Sequence, residues 1–164
     1  ATPWLFGERA PFFSDAAKGA FVGLTARHTR RHMVNAMMEG VCYSMRMALD
    51  ALNDGTRRRV ESISAVGGGA MSKRWMQTLA DVLEIPVRVP YDPRRAGTVG
   101  TAYCALVGLG RVKGFDEAKE RIAYEHTFEP REAASKAHKA SFEAYRGLYP
   151  ALEKTFVRLG GSGR

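Results

Sequence analysis

Apolar side chains recur at helical spacing along one long stretch near the start of the chain. The stretch runs from about Thr29 to Asn53, and its apolar stripe consists of Met33, Met37, Val41, Met45, Ala48 and Leu52. An apolar face that repeats every three or four residues is typical of an amphipathic helix. Thr29 is a suitable cap for its start, and Gly55 follows its end, where a glycine commonly terminates a helix. The pattern predicts a long helix with one buried face.

Short apolar runs bounded by glycine or proline alternate with further helical patterns. Val60 to Val66 and Pro86 to Pro90 predict two strands, and Ala20 to Leu24 is a candidate for a third. Helices are expected over residues 72–83, 97–109, 115–124 and 133–148. Ser72 can cap the first of these, and Pro150 interrupts the chain after the last. Strands that alternate with helices favour an α/β fold with parallel strands and flanking helices.

Two or three strands are too few for an independent parallel sheet. Such a sheet needs cover on both faces and usually more strands than this chain supplies. We therefore expect an incomplete lobe over residues 1–159, with part of its sheet supplied from elsewhere. The glycine-rich end, residues 160–164, is expected to form a flexible tail.

The composition is that of an ordinary globular protein, with 45% hydrophobic and 26% charged residues. A formal net charge of +8 favours anionic partners, including nucleotides, sugar phosphates and nucleic acids. The arginines are dispersed and lack the interleaved aromatic residues of single-strand binders, so specific nucleic-acid binding is not expected. No apolar run approaches the ~20 residues that span a bilayer, so we expect no membrane association and a cytoplasmic location.

Cysteine and histidine residues give little support for metal or disulfide chemistry. Cys42 and Cys104 are far apart inside helix-like segments, which predicts two buried free thiols. His28 and His32 could share a helix face, but no third ligand is near in sequence. We therefore predict no metal site.

The stretch with the most chemical character passes from a strand through three glycines, Gly67, Gly68 and Gly69, into a helix. Glycines let a ligand lie against the backbone, and the first N–H groups of a helix carry partial positive charge. This combination suits a nucleotide base or a phosphate, with Lys73 as a nearby cation. The spacing matches neither the P-loop nor the dinucleotide fingerprint, so a purely structural turn remains an alternative.

Several stretches together resemble the FGGY family of carbohydrate kinases. Gly19-Ala20-Phe21-Val22-Gly23-Leu24, followed after seven residues by His32-Met33-Val34-Asn35-Ala36-Met37-Met38-Glu39, resembles the second signature of that family. Gly7-Glu8-Arg9-Ala10-Pro11-Phe12-Phe13 is similar to a stretch typical of its xylulose kinases. Gly67-Gly68-Gly69-Ala70 and the helix after it resemble the adenosine motif, and Ala96-Gly97-Thr98-Val99-Gly100-Thr101-Ala102 resembles a further helix start. The resemblance covers roughly residues 3–110.

The resemblance implies the later part of the second lobe of a ribonuclease H-like, actin-like ATPase, in which ATP lies between two lobes. It implies that ATP or ADP, with Mg²⁺, contacts the following residues: Gly67, Gly68, Gly69, Ala70, Ser72 and Lys73. Lys73 stands where some relatives carry Asn, and Arg95 where many carry Glu. The implied activity is that of a phosphotransferase acting on the alcohol group of D-xylulose or a related sugar or polyol.

Three parts of the family's machinery have no match in the chain: the phosphate loop of the first lobe, the aspartate base, and the phosphate hairpin that opens the second lobe. The resemblance therefore implies no catalytic residue here, Mg²⁺ held mainly by parts outside the chain, and no phosphoryl transfer by the chain alone. The expected partners are the N-terminal lobe of the same protein and, since relatives often dimerise, a second copy.

Other functions remain open at this point. Glu8 and Arg9 could line the cleft, although a local Glu–Arg pair that fixes a loop is favoured. A non-catalytic module that pairs with another chain through exposed apolar faces is the main alternative to the kinase. Nucleic-acid binding through the positive charge would be non-specific.

Overall fold

The structure is a computed structural model that describes residues 1–120 and 122–160, without the side chains of residues 118–120. The elements are β1 Thr2–Pro3, β2 Gly19–Ala20, α1 Arg30–Thr56, β3 Ile63–Ser64, α2 Lys73–Leu83, β4 Val87–Pro90, α3 Ala96–Gly108, α4 Phe115–Glu120, β5 Tyr124–Phe128, α5 Glu132–Arg146 and α6 Leu148–Gly160. Two short 3₁₀ helices, Gly68–Met71 and Pro93–Arg95, precede α2 and α3. The predicted flexible tail, apart from Gly160, lies outside the described residues.

The chain divides into two compact units. The first contains Ala1–Val60, Asp81–Glu84 and the chain from Arg131 onward, and the second contains Glu61–Ala80 and Ile85–Pro130. The long helix α1 and the last two helices belong to the first unit, and the three-stranded sheet belongs to the second. The prediction of a single lobe over residues 1–159 remains a prediction.

An aromatic cluster forms the core of the first unit. Trp4 is 2% exposed, and its ring lies 5.3 Å from Phe12, 5.8 Å from Tyr145 and 6.4 Å from Phe156, centroid to centroid. Its indole N–H donates to Ser44 Oγ, which lies 2.8 Å from the Tyr145 hydroxyl. Aromatic rings bury large apolar areas, and these polar tips find partners inside the cluster. The cluster therefore joins the N-terminal segment to α1 and α5.

Helix α1 packs against β1 through a glycine. Gly40 is buried, and a Cβ at this position would lie well inside contact distance of the Ala1 carbonyl oxygen. Thr2, the residue after Ala1, is fully buried, and its hydroxyl donates to the Lys18 carbonyl at 2.9 Å. The backbone of β1 can cross α1 this closely only because Gly40 has no side chain.

A buried carboxylate holds the start of α5. Asp81 is 0% exposed and accepts the backbone N–H of Arg131, the residue that precedes α5, at 2.8 Å. The Arg131 guanidinium reaches the same carboxylate, with Nη2 2.6 Å from Oδ2. The hydrogen bond to Asp81, together with its negative charge, raises the pKa of the Arg131 guanidinium. Desolvation lowers the same pKa but is the smaller effect. A buried charge needs such pairing.

The sheet of the second unit has the order β3-β4-β5. β3 is parallel to β4, with Ile63 opposite Val87, as the alternation of strands and helices predicts. β5 is antiparallel to β4 and was not predicted; the sequence pattern had assigned a helix to residues 115–124, and α4 ends at Glu120 instead. Val87 and Val89 of the central strand are buried.

Three element boundaries differ from the predicted ones. Gly55 lies inside α1, which ends at Thr56, and the left-handed residue that follows is Arg57 with φ 53°. The predicted strand from Val60 to Val66 is reduced to Ile63–Ser64. Pro150 lies in the first turn of α6, where a missing N–H costs little, so it does not interrupt a helix.

Among the residues that the structure describes, no helix combines the length and the apolar character needed to cross a bilayer.

Candidate functional site

The glycine turn follows β3 in the second unit. The Ala65 N–H donates to the Arg88 carbonyl at 2.8 Å, so the chain leaves β3 alongside β4. Gly67 then has φ 87°, a left-handed conformation that favours glycine, and its N–H donates to the Pro93 carbonyl at 2.8 Å. The 3₁₀ helix Gly68–Met71 completes the turn before α2 begins. The segment is therefore ordered by the main chain of the neighbouring strand and of the Pro93 region.

The three glycines face different surroundings. A Cβ added at Gly67 or Gly68 would meet no other heavy atom within 4 Å. At Gly69 it would lie 3.1 Å from Cζ3 of Trp75, so this glycine packs on the indole ring. Ala70 is 5% exposed, and its N–H donates to the Gly67 carbonyl at 3.3 Å. One side of the turn is thus bare backbone open to a ligand, and the other side is supported by Trp75.

The two polar residues predicted for the site have different positions. Ser72 directly precedes α2, and its Oγ accepts the Trp75 N–H at 3.3 Å while its carbonyl accepts the Met76 N–H at 2.9 Å. This confirms Ser72 as the helix cap. Lys73 is the exposed first residue of α2. Lys73 is therefore open to solvent, whereas the Ser72 hydroxyl is engaged in capping.

Two arginines lie next to the turn because Gly67 is bonded to Pro93. Arg94 and Arg95 follow Pro93, and their side chains are 68% and 79% exposed. Arg95 Nε lies 3.1 Å from Asp92 Oδ2, and Arg94 Nε lies 3.9 Å from Asp92 Oδ1. Together with Lys73 they make the surroundings of the turn positive, which favours an anionic ligand. The sequence did not indicate the Pro93 segment as part of this site, because its hydrogen bond joins residues 26 positions apart.

Glu8 and Arg9 lie in the first unit, and they do not form the predicted Glu–Arg pair. Glu8 Oε1 accepts the backbone N–H groups of Arg9 at 2.8 Å and of Ala10 at 3.4 Å. The Arg9 guanidinium lies 5.8 Å from the ring centroid of Phe13. The carboxylate therefore fixes the loop through backbone hydrogen bonds, while the arginine stacks on an aromatic ring.

The two histidines near α1 are engaged in turns. His28 Nδ1 accepts the Thr25 N–H at 2.9 Å, and His32 Nδ1 accepts the Thr29 N–H at 3.1 Å. Each Nδ1 is therefore engaged in the turn that precedes or begins α1. The described part of the chain contains no group of three His, Cys, Asp or Glu residues able to hold a metal ion.

The cysteine prediction holds at one position and is wrong at the other. Cys42 is fully buried in α1, whereas Cys104 is exposed on α3. The reason is that none of the residues of α3 is buried, although its sequence is apolar.

Comparison with known proteins identifies the family of the chain. The FGGY family of carbohydrate kinases, C-terminal domain, matches residues 1–109. The chain is 32% identical to a gluconokinase of Bacillus licheniformis over 162 residues, and 28% identical to a xylulose kinase of Bacillus subtilis over 149 residues. These matches cover 99% and 90% of the chain, but only 31% and 30% of the two relatives.

Solved structures agree with the sequence matches. A ligand-bound xylulose kinase from Lactobacillus acidophilus has a TM-score of 0.84 at 26% identity over 96% of this chain and 32% of its own. A Plasmodium falciparum glycerol kinase solved with ADP has a TM-score of 0.71 at 22% identity, which supports the fold alone. The chain thus has the fold of the FGGY sugar kinases, which is that of the actin-like ATPases, and spans about a third of the relatives' length. The chain belongs to the FGGY family of carbohydrate kinases and corresponds to its C-terminal domain.

Proposed function

We propose that the chain provides the adenosine-binding wall of an ATP-dependent carbohydrate kinase, at the turn formed by Gly67–Ala70 with Ser72 and Lys73. One observation carries this proposal: the Cβ positions of Gly67 and Gly68 open onto empty space. Bare backbone lets a flat purine approach closely, and every side chain added there would occupy the volume of the ligand. The support of Gly69 by Trp75 keeps this surface in place.

The cations beside the turn suit the remainder of the nucleotide. Lys73, Arg94 and Arg95 are exposed, and a cluster of positive charges raises the local concentration of phosphate-bearing ligands. Asp92 is paired with both arginines, so it is not a free ligand for Mg²⁺. We assign the Mg²⁺ that phosphoryl transfer requires to parts of the complete kinase outside this chain.

The chemistry of the complete kinase is the transfer of the γ-phosphoryl group of ATP to a hydroxyl of a sugar or polyol. Relatives named gluconokinase, xylulose kinase and glycerol kinase all match the chain. The residues that select the acceptor are therefore not the ones that the chain shares with all three. D-xylulose is the first acceptor to assay, with gluconate and glycerol beside it. The partners are then the sugar, ATP and the N-terminal lobe of the same protein, and a homodimer remains a prediction. A cytoplasmic location also remains a prediction.

Titration with ADP, followed by calorimetry and by tryptophan fluorescence, tests the site. Gly68→Phe fills the open side of the turn, because its Cβ points into empty space. Gly55→Phe is the matched control, since Gly55 on α1 is equally free of neighbours and lies in the first unit. A substitution at Gly69 is less suitable, because its Cβ would press on Trp75 and disturb the fold.

We expect Gly68→Phe to weaken ADP binding at least ~10-fold, equivalent to ~1.4 kcal/mol, while Gly55→Phe binds as the wild type does. Circular dichroism spectra of both variants should match the wild type. Equal affinities in the three proteins would remove the turn from the nucleotide site. We also expect no ATP hydrolysis or sugar phosphorylation by the chain alone.

A non-catalytic role as an interaction module has one observation in its favour: none of the residues of the apolar helix α3 is buried. This role predicts partner binding without nucleotide binding, so the same ADP titration distinguishes it from the kinase.

A further inference from the structure

A cavity of about 180 Å³ lies inside the first unit, bounded by α1, residues 82–84 and α5. Arg46 and Asp50 line it from α1, Glu84 lines it from the end of α2, and most of the remaining wall comes from α5. Pockets that hold drug-sized ligands measure ~300–1,000 Å³, so an occupant of this cavity has to be small. We call it the charged cavity.

The guanidinium of Arg46 is held in one orientation at the wall of the charged cavity. Its Nε donates to Asp50 Oδ1 at 2.9 Å and its Nη1 donates to the Val82 carbonyl at 2.7 Å, while Glu84 Oε1 lies 3.7 Å from Nη1. None of these contacts uses Nη2, which has two N–H groups to donate. A donor fixed in advance by its neighbours loses little conformational entropy when a ligand arrives.

His138 also lines the charged cavity with a ring whose orientation is set from one side. Its Nδ1 lies 2.9 Å from the hydroxyl of Tyr43 on α1. A hydrogen bond at one ring nitrogen fixes the plane of the imidazole and determines the role of the other nitrogen. Nε2 of His138 is therefore a second pre-oriented polar atom, on the opposite side of the cavity's sequence from Arg46.

Positive and negative side chains balance around the charged cavity. Three cations and three carboxylates line it: Arg46, Lys139, Arg146, Asp50, Glu84 and Glu143. Each of the three carboxylates lies within 4 Å of an arginine, at 2.9, 3.7 and 3.8 Å. A multiply charged anion would bring excess charge into this balanced wall, and a zwitterion would have to compete with the ion pairs already formed. The wall therefore favours a neutral ligand.

Hydroxyl groups fit such a wall better than an aromatic ring does. A hydroxyl donates one hydrogen bond and accepts others, so it can bond a carboxylate and a guanidinium together without separating them. The aromatic residue of the wall, Phe142, is only 6% exposed, and the guanidinium groups of Arg46 and Arg146 lie 5.6 and 5.9 Å from its ring centroid. Its ring is thus already engaged and offers little surface for stacking a nucleobase.

We propose that the charged cavity binds a small, neutral, polyhydroxylated compound such as a pentitol. The inference goes beyond the proposed function, because the cavity belongs to the first unit and the glycine turn to the second. The carboxylates of Glu84 and Glu143 accept hydrogen bonds from the ligand's hydroxyl groups, and the Nη2 group of Arg46 donates to their oxygens. A ligand held in this way joins α1 to α5, so its binding stabilises the first unit.

Titration of the ¹⁵N-labelled chain with xylitol, followed by nuclear magnetic resonance, tests the site. The Arg46 Nε–H signal and the backbone amides of residues 82–84 and 138–146 report on the cavity. Glu143→Ala and Glu84→Ala each remove one carboxylate from the wall. Glu153→Ala is the matched control, because Glu153 is an exposed carboxylate on the neighbouring helix in sequence, α6, and does not line the cavity.

We expect saturable shifts of the reporter signals with a Kd of ~1–10 mM, the range of weak small-molecule binding. Loss of one hydrogen bond to a charged group should weaken xylitol binding at least ~5-fold in Glu143→Ala and in Glu84→Ala. Glu153→Ala should bind xylitol as the wild type does. Shifts that do not saturate, that are largest outside the cavity, or that weaken equally in all three variants would overturn the proposal.

Two other probes test the charge of the ligand. Inorganic phosphate and glycine are titrated under the same conditions, and tighter binding of either one at Arg46 would assign the cavity to an anion or a zwitterion, contrary to the proposal. Polyols also stabilise proteins by exclusion from their surface, an effect that would leave the Arg46 signal without a saturable shift and would likewise overturn it. ADP binding is measured separately, so its absence would contradict the proposed function without affecting the xylitol result.

Discussion

The N-terminal segment crosses α1 closely at one glycine, Gly40, but not at a second one, Gly55. Substitution to alanine should therefore change the free energy of unfolding in opposite directions at the two positions. Gly40 and Gly55 both lie in α1 and both lack a side chain that would favour a helix. A Cβ at Gly40 would overlap the Ala1 carbonyl oxygen and lie 3.5 Å from Pro3 Cδ, whereas a Cβ at Gly55 would meet nothing within 4 Å. The same substitution to alanine therefore adds one methyl group to a filled site and one to an empty site.

The magnitudes follow from two terms. Replacing a helical glycine by alanine stabilises a helix by ~1 kcal/mol, so Gly55→Ala should raise the free energy of unfolding by up to that amount. At Gly40 the same gain is set against an overpacking cost of ~1–3 kcal/mol. The neighbouring backbone cannot shift freely, because Thr2 is fully buried and bonded to Lys18. Gly40→Ala should therefore lower the free energy of unfolding by up to ~2 kcal/mol.

Urea denaturation followed by circular dichroism measures both effects under identical conditions. A third protein isolates the cause: in a chain that begins at Thr2, the Ala1 carbonyl is absent, and Gly40→Ala should lose most of its penalty. If Gly40→Ala and Gly55→Ala stabilise the full chain equally, the proposed steric contact between α1 and the first residue is refuted. A penalty that persists in the shortened chain would place its origin elsewhere.

Three other outcomes are expected. Burial raises the pKa of Tyr43 and of Tyr145 to about 12. The contribution of these two groups to the free energy of unfolding should therefore be constant below about pH 10, where unfolded tyrosines ionise, and fall as the pH rises to about 12. Stepwise urea denaturations between about pH 10 and pH 12 should show this decline, and a flat profile over that range would contradict it. Asp81→Asn should lower the urea midpoint by weakening the hold on the start of α5, and an unchanged midpoint would mean that this buried carboxylate contributes nothing. A thiol reagent should modify Cys104 in the native chain and Cys42 only after unfolding, and fast labelling of both would contradict the burial of Cys42.

The helices were the most predictable part of the fold. The stripe along α1 and the helix after Ser72 follow from local periodicity, which needs no knowledge of distant residues. β5 could not be predicted in this way, because Tyr124–Phe128 forms a strand only through its pairing with β4. Gly55 predicted a helix end after Asn53 because glycine often occurs just beyond one, yet α1 continues three residues further to Thr56, whose hydroxyl donates to the Leu52 carbonyl at 2.7 Å.

The candidate site was predictable to a similar extent. The glycines and Ser72 were identified from their order along the chain, since a strand, a turn and a capped helix are local features. The contributions of Pro93 and of the two arginines after it depend on a hydrogen bond to Gly67 across 26 residues. The prediction of a Glu8–Arg9 side-chain pair was wrong for a different reason: the contacts are local, but the carboxylate bonds to backbone N–H groups and the guanidinium stacks on the ring of Phe13.

The positions of the two tryptophans have a practical consequence for following how the molecule unfolds. The chain contains two, and Trp4 lies in the aromatic cluster of the first unit while Trp75 supports the glycine turn in the second. Replacing either tryptophan by phenylalanine leaves a single tryptophan whose emission maximum and fluorescence lifetime report on one unit. Stopped-flow unfolding traces of the two single-tryptophan proteins would coincide if both units unfold in one cooperative step. The traces would differ if one unit unfolds before the other.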